Sequence, residues 1–211
     1  MKQQNRSINE IIILLQNEYP NAKTALLFSN PWELLVSTIL SAQCTDAVVN
    51  QITPALFARF RTPREYVEAD IEELERLIHS CGFYRNKAKN IQGAARKIRD
   101  NFGEKVPSTM DELITLPGVA RKTANVVLYN AFGVIEGIAV DTHVKRLSNL
   151  LALSFEHNPD RIEKDLMAII PHEQWGNITH LLIEHGRKIC IARRPRCNQC
   201  VLVKLCPSAK I

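Results

Sequence analysis

Four cysteines near the C-terminus are the residues whose spacing most clearly indicates chemistry. Cys190, Cys197, Cys200 and Cys206 follow the pattern C-x6-C-x2-C-x5-C. In a reducing compartment, four thiolates this close favour a metal ion or an iron–sulfur cluster over disulfides. Structural zinc is the main alternative, because a C-x2-C pair is a common zinc element, although zinc sites usually combine two such pairs. The spacing favours [4Fe–4S] over zinc. Cys44 and Cys81 stand apart in the sequence, and we interpret them as small buried hydrophobic side chains.

A second group of residues predicts a turn that binds the phosphate backbone of a nucleic acid. Pro117 and Gly118 separate two short helical segments, so the stretch predicts a helix–hairpin–helix. Backbone N–H groups at such a hairpin and in the first turn of the second helix have no intrahelical partner and suit a phosphate. They would read DNA without regard to base identity. A plain helical turn is the simpler alternative. The candidate DNA-binding residues are Leu116, Pro117, Gly118, Val119, Ala120 and Arg121.

Lys122 and Asp141 are the candidate catalytic residues. Lys122 lies in the first turn of the second helix beside Arg121. The helix dipole and this neighbour both favour the free amine, which can attack a sugar carbon and form a Schiff base. A phosphate-binding or solvated lysine is the alternative. Asp141 opens the following helix, where capping is its simplest role. Near Lys122, its carboxylate would stabilise positive charge on a sugar or accept a proton from the amine.

The remaining patterns predict an all-α fold. Capping signals occur at several helix starts, Pro54 predicts a kinked or split helix, and no sustained period-two alternation is present. The predicted caps are Ser7 with Glu10, Asn30, Thr62, Asp70, Ser108 and Asn158. The glycines expected where helices end are Gly82, Gly103, Gly133 and Gly186.

Composition limits the possible classes of protein. The 211 residues are 45% hydrophobic and 23% charged, as in ordinary globular proteins. No apolar run approaches the ~20 residues of a membrane span, and the N-terminus lacks an apolar signal core, so we expect a cytoplasmic protein. The net charge is +5, and seven bases with no acidic residue follow from Arg187 onwards. This basic tail is either simply solvated or part of a nucleic-acid contact.

Together these motifs resemble the endonuclease III family of helix–hairpin–helix DNA glycosylases. The resemblance rests on Leu116–Ala124, Val140–His143, the cysteine tail and Ser41–Asp46, and it runs from about residue 10 to the end. It implies two helical domains flanking a DNA-binding cleft. Residues 24–134 would form a six-helix barrel with the hairpin. Residues 1–23 and 135–211 would form a cluster domain that holds [4Fe–4S] on the four cysteines.

The resemblance also implies base excision repair of oxidised pyrimidines in duplex DNA, followed by Schiff-base β-elimination at the abasic site. The damaged nucleotide would leave the stack and enter a pocket. Lys122 would be the nucleophile and Asp141 the catalytic carboxylate. Gln43 would fill the gap in the helix, and His143 lies close enough to Asp141 to contact DNA. Phe83 stands where the family often has a wedging leucine, and Ala120 where it usually has glycine.

Two other functions compete with this one. A monofunctional glycosylase of the same fold typically lacks a lysine at position 122. A non-catalytic DNA-binding module with structural zinc needs neither Lys122 nor Asp141. Because both residues are present, the sequence favours the bifunctional enzyme. We expect this enzyme to act on duplex DNA as a monomer and to have no membrane partner.

Overall fold

The computed structural model describes residues 2–210, and within this range the chain is helical with no β-strand. The all-α prediction is confirmed. The α-helices are α1 Lys2–Glu18, α2 Pro31–Leu40, α3 Asp46–Arg59, α4 Pro63–Glu68, α5 Ile71–Leu77, α6 Tyr84–Asn101, α7 Met110–Leu113, α8 Arg121–Val127, α9 Thr142–Leu150, α10 Pro159–Ile169 and α11 Trp175–Lys188. A π-helical turn, Leu128–Phe132, extends α8, and 3-10 turns lie at His172–Gln174 and Cys197–Gln199. None of the helices in residues 2–210 has the length and apolar character needed to cross a membrane.

Four of the six predicted capping residues lie at the observed helix starts. The side chain of Asn30 accepts a hydrogen bond from the Glu33 N–H at 3.0 Å. Thr62, Asp70 and Asn158 cap α4, α5 and α10 in the same way. Two predictions were wrong. Thr109, and not Ser108, caps α7. Helix α1 begins before Ser7, because the mostly straight-chain residues ahead of it are good helix formers and extend the helix.

Only some of the predicted helix ends and interruptions agree with the structure. Gly133 ends the π-helical turn with φ +68°, and Gly103 follows the end of α6 with φ +57°. Gly82 lies between α5 and α6. Gly186, in contrast, lies inside α11, so its predicted role as a helix end was wrong. Helix α3 continues through Pro54, so the helix is not split there.

The chain divides into two compact units. The central unit is the continuous segment Ala25–Val134, and the terminal unit combines the segments before and after it. In the central unit α6 packs against α4, α5 and α2, around fully buried side chains such as Tyr66 and Ile91. In the terminal unit the apolar stripe of α1 joins Leu181 of α11 and Leu202 in one core. The N-terminal helix therefore shares its core with the C-terminal segment.

Candidate functional site

The hairpin between α7 and α8 presents an exposed tip on a buried base. Leu116 and Val119 are only 2% and 6% exposed, and the Val119 N–H donates to the Leu116 carbonyl at 3.1 Å. Pro117, Gly118 and Ala120 are exposed. The side chains of Leu116 and Val119 therefore pack in the core, so only their backbone is suited to a DNA contact.

Helix α6 fixes the conformation of the hairpin tip. Gly118 has φ +76°, which favours glycine, and a Cβ atom there would lie 2.8 Å from the Cβ atom of Asn90 in α6. One turn further along α6, a Cβ atom on Gly93 would lie 3.1 Å from Cγ of Pro117. Glycine at both positions lets the tip and α6 approach each other closely.

We expect Gly118→Ala to weaken binding to all duplexes alike. The left-handed backbone costs about 1–2 kcal/mol for alanine, and the overlap with Asn90 forces the tip to move. Gly103→Ala is the matched control, because Gly103 is also left-handed but its Cβ position has no neighbour within 4 Å. Duplex binding as a function of salt, together with the free energy of unfolding, checks this. Equal loss of affinity in both variants would contradict the proposed role of the tip.

Ala120 suits its position despite the family's preference for glycine. Its φ of −91° and ψ of 171° are ordinary for an alanine, so the backbone does not require glycine there. Ala120 is the N-cap residue of α8 and forms no side-chain capping bond. The small methyl group therefore leaves the start of α8 accessible.

Lys122 lies in the exposed first turn of α8. No hydrogen bond or ion pair engages its side chain within residues 2–210. Arg121 beside it is also exposed. The amine is therefore accessible at the start of α8, directly after the hairpin, and the predicted position of Lys122 in the first turn of this helix is confirmed.

Asp141 caps α9. Its Oδ1 accepts a hydrogen bond from the Val144 N–H at 2.8 Å, so the capping interpretation is confirmed. The preceding residues Ala139 and Val140 are buried, and the Thr179 hydroxyl donates to the Ala139 carbonyl at 3.2 Å. These contacts hold a half-buried carboxylate in a fixed position in the terminal unit, whereas Lys122 belongs to the central unit.

His143 and Arg146 connect α9 to α11. A Cβ atom on Gly186 would lie 2.8 Å from Nδ1 of His143, so α11 needs glycine where the half-buried imidazole packs against it. Arg146 Nη2 donates to the carbonyls of Gly186 at 3.1 Å and Cys190 at 2.7 Å. Arg146 thereby ties α9 to the first of the four clustered cysteines.

Gln43 and Phe83 lie in two neighbouring turns of the central unit. Both have left-handed backbones, with φ +53° and φ +58°, and Phe83 is 67% exposed. A Cβ atom on Gly82 would contact the Gln43 carbonyl at 3.7 Å. Left-handed conformations are uncommon for such residues and often mark functional turns.

The two remaining cysteines meet at these turns. The Sγ atoms of Cys44 and Cys81 lie 3.6 Å apart. Cys81 is buried as predicted and Cys44 is half-buried, so the interpretation of two separate hydrophobic side chains was incomplete. Residues 37 positions apart in the sequence gave no signal of this contact.

The four C-terminal cysteines are half-buried free thiols around one cavity. The cavity measures about 150 Å³, and Leu147, Ile189 and Leu202 provide apolar parts of its wall. In the described residues, no three His, Cys, Asp or Glu side chains converge as they would on a single metal ion. Burial and the neighbouring thiols raise the pKa of Cys200 and, despite the nearby Arg146 guanidinium, that of Cys190.

A buried histidine adjoins this centre. His185 Nε2 lies 3.4 Å from Sγ of Cys200, and its Nδ1 lies 3.0 Å from the Tyr19 hydroxyl. Burial lowers the pKa of His185 to about 4, so the imidazole is neutral at physiological pH. Tyr19, the residue directly after α1, lies 166 positions from His185 in the sequence, so only the fold brings the two side chains together.

Basic side chains cover the surface around the cysteine segment. All seven bases from Arg187 onwards are exposed. One of them, Lys188, pairs with Glu184 at 2.7 Å. The remaining positive charge makes this surface suitable for a polyanion such as DNA.

Comparisons with known proteins define the class and then the family. Residues 36–172, more than half of the chain, match the HhH-GPD superfamily of base excision DNA repair proteins. Endonuclease III of Synechocystis sp. is 54% identical over 210 residues, which cover 100% of this chain and 96% of that protein. The chain belongs to the endonuclease III family of base excision repair enzymes, which are DNA glycosylases and abasic-site lyases.

Solved structures agree with this assignment. A non-covalent endonuclease III–DNA complex has a TM-score of 0.92 and 45% sequence identity, covering 97% of this chain and 96% of that one. A trapped covalent endonuclease III–DNA intermediate matches with the same values. The fold and the similarity therefore extend over nearly the whole chain.

Proposed function

We propose that this enzyme removes oxidised pyrimidines from duplex DNA and then cleaves the abasic strand, with Lys122 as its nucleophile. The observation that carries the proposal is the exposed, unengaged Lys122 amine in the first turn of α8, next to the hairpin tip. The trapped covalent intermediate of a 45% identical endonuclease III supports a covalent route.

The reaction follows from the chemistry of an amine at a sugar carbon. The Lys122 nitrogen bonds to C1′ as the bond from C1′ to the damaged base breaks, and the base leaves with a proton. The C1′–O4′ bond then breaks, O4′ takes up a proton, and the open-chain sugar stays joined to Lys122 as a protonated imine, which acidifies the proton on C2′. Loss of that proton expels the 3′ phosphate, which breaks the strand by β-elimination. The Asp141 carboxylate stabilises the positive charge that develops on the sugar.

DNA is held by the backbone of the hairpin and by the two neighbouring turns. The tip at Pro117 and Gly118 binds phosphate through backbone N–H groups, without reading bases. Gln43 and the exposed Phe83 enter the space left by the flipped nucleotide. His143 contacts DNA only at the outer edge of its ring, because the other side packs against Gly186. We propose a monomer that acts where the DNA is, which is the cytoplasm in a prokaryote.

We further propose that Cys190, Cys197, Cys200 and Cys206 hold a [4Fe–4S] cluster. The four cysteines border a cavity of about 150 Å³, which has room for a group of several atoms, because one water molecule needs only about 10–15 Å³. Four thiolates on one zinc ion would lie roughly 4 Å apart, given Zn–S bonds of about 2.3 Å, and no three such side chains converge in this way within residues 2–210. The neutral His185 can donate its Nε2–H to the Cys200 sulfur while accepting from Tyr19. When bound, such a cluster supplies ligand bonds that fix the C-terminal segment.

We expect Cys197→Ala to abolish iron binding. Purified protein should contain about four irons per chain, and the variant should lose them because one ligand is missing. The measurements are the iron content, the visible absorption spectrum and the rate of proteolysis in the segment that follows Cys190. Cys81→Ala is the control, since Cys81 lies in the central unit and its loss should leave the iron in place. Stoichiometric zinc without iron in anaerobically purified protein would contradict the cluster.

A panel of duplexes that differ in one base tests the proposed substrate class. Each carries an oxidised pyrimidine, an oxidised purine or the undamaged base at the same position. We expect base release and strand cleavage to be at least about tenfold faster on the duplex with the oxidised pyrimidine than on the other two. A single hydrogen bond between the pocket and the damaged base is enough to give this preference. Absence of base release from every oxidised pyrimidine would overturn the proposed specificity.

A further inference from the structure

The central unit holds a pair of thiols that the repair reaction does not use. Sγ of Cys44 lies 3.6 Å from Sγ of Cys81. Cys44 follows α2 in a half-exposed turn, whereas Cys81 is fully buried after the end of α5. Both belong to the central unit, so they are separate from the four cysteines of the terminal unit.

The two sulfur atoms already lie at contact distance. A disulfide needs sulfur atoms about 2 Å apart, so these atoms must approach by roughly 1.5 Å. Both cysteines lie in turns, because α2 ends at Leu40 and α5 ends at Leu77. Rotation of the Cys44 side chain and a small shift of either turn can supply this movement without disturbing a helix.

We propose that Cys44 and Cys81 form a reversible disulfide when the protein meets a low-molecular-weight disulfide such as glutathione disulfide. The Cys44 thiolate attacks one sulfur of the oxidant, which releases one thiol and leaves a mixed disulfide on Cys44. The Cys81 sulfur then attacks the Cys44 sulfur, and the second thiol leaves. Two electrons and two protons pass from the cysteine pair to the oxidant, which is reduced to two thiols.

The environment assigns the two roles. The half-exposed Cys44 can meet an oxidant in solution, whereas the buried Cys81 can react only with its neighbour. Burial and the hydrogen bond with Cys44 raise the pKa of Cys81 to about 12, so Cys81 must pass its proton to the departing thiolate as its sulfur attacks Cys44. This order matches an exposed attacking thiol and a protected resolving thiol.

The disulfide would act on the turns that carry Gln43 and Phe83. Gln43 directly precedes Cys44, and Phe83 follows Cys81 by two residues, each with a left-handed backbone. A Cβ atom added to Gly82 would lie 3.7 Å from the Gln43 carbonyl oxygen, so the two turns lie close together. This part of the proposal rests on the proposed function. Since a shift of about 1 Å in a catalytic arrangement can cost up to two powers of ten in rate, we expect oxidation to slow cleavage of damaged duplex at least about tenfold.

The test exposes the iron-loaded full-length protein to glutathione disulfide, followed by alkylation and mass spectrometry. We expect a linked peptide that contains Cys44 and Cys81, which disappears after treatment with dithiothreitol. Neither Cys44→Ala nor Cys81→Ala should form it. Two alkylated thiols, or a stable glutathione adduct on Cys44, would overturn the disulfide.

Activity is measured on the same samples, with iron content as a check on the four other cysteines. We expect slower cleavage of damaged duplex by the oxidised parent and unchanged cleavage by oxidant-treated Cys44→Ala. A linked peptide with full activity would overturn the effect on the turns. Inactivity of the fully reduced parent would count against the proposed function instead, because the linked peptide is detected without DNA.

Discussion

Lys122→Gln should abolish both strand cleavage and borohydride trapping of the protein on duplex DNA that carries an oxidised pyrimidine. Glutamine keeps most of the length of the side chain but has no nucleophilic amine, so no imine can form. Binding should survive, because the hairpin tip at Gly118 does not depend on this side chain. Gel separation of covalent and cleaved products measures both activities at once.

Two further variants separate the amine from its charge. Lys122→Arg keeps a positive charge in the first turn of α8 but is not nucleophilic, so it should also fail to trap. Lys89→Gln removes a different exposed lysine of the central unit and should trap like the parent. Full trapping by the Lys122→Gln protein would mean that another amine is the nucleophile. Normal base release by the Lys122→Gln protein, together with no strand cleavage by the parent protein, would point to a monofunctional glycosylase.

Asp141→Asn should slow base release by about two powers of ten or more, the scale lost when one charge-stabilising group leaves an active site. The structure makes this substitution informative, because Asp141 also caps α9 through Oδ1. Asparagine is as good an N-cap as aspartate, so the helix and the free energy of unfolding should change little. DNA affinity should hold or rise, since a negative charge near the phosphates is removed. Single-turnover base release and duplex titration measure the two effects.

The capping role needs its own controls. Asp141→Ala loses the cap as well as the charge, so it should destabilise the protein by about 1 kcal/mol relative to Asp141→Asn. Asp70→Asn makes the same chemical change at the cap of α5 and should leave base release intact. Base release by Asp141→Asn at the parental rate would reduce Asp141 to a structural cap.

Features set by neighbouring residues could be predicted from the sequence. Asn30, Thr62, Asp70 and Asn158 were recognisable as caps because capping depends on residues within one helical turn. The hairpin, Lys122 and the start of α9 at Asp141 were recognisable for the same reason. The spacing of the four cysteines also indicated their shared site, because they lie in one short segment.

Features set by tertiary contacts could not be predicted in this way. Gly186 resembles a helix end locally, yet it lies inside α11 because His143 and Arg146 of α9 need the space of a side chain. The contacts of Cys44 with Cys81 and of Tyr19 with His185 join residues far apart in the sequence. Spacing likewise did not show that the hairpin side chains Leu116 and Val119 face the core.

The division of the chain has a consequence for its synthesis on the ribosome. The central unit is one continuous segment, so all of its core residues are available once Val134 has been made. The terminal unit must wait, because the apolar face of α1, with Ile11 and Leu15, packs in a core completed by α11 and Leu202. Helix α1 precedes the central unit in the chain, but its apolar face is covered only once α11 and Leu202 have been made. The nascent chain therefore exposes this hydrophobic face until the C-terminal segment has been made, and such transiently exposed surface favours aggregation.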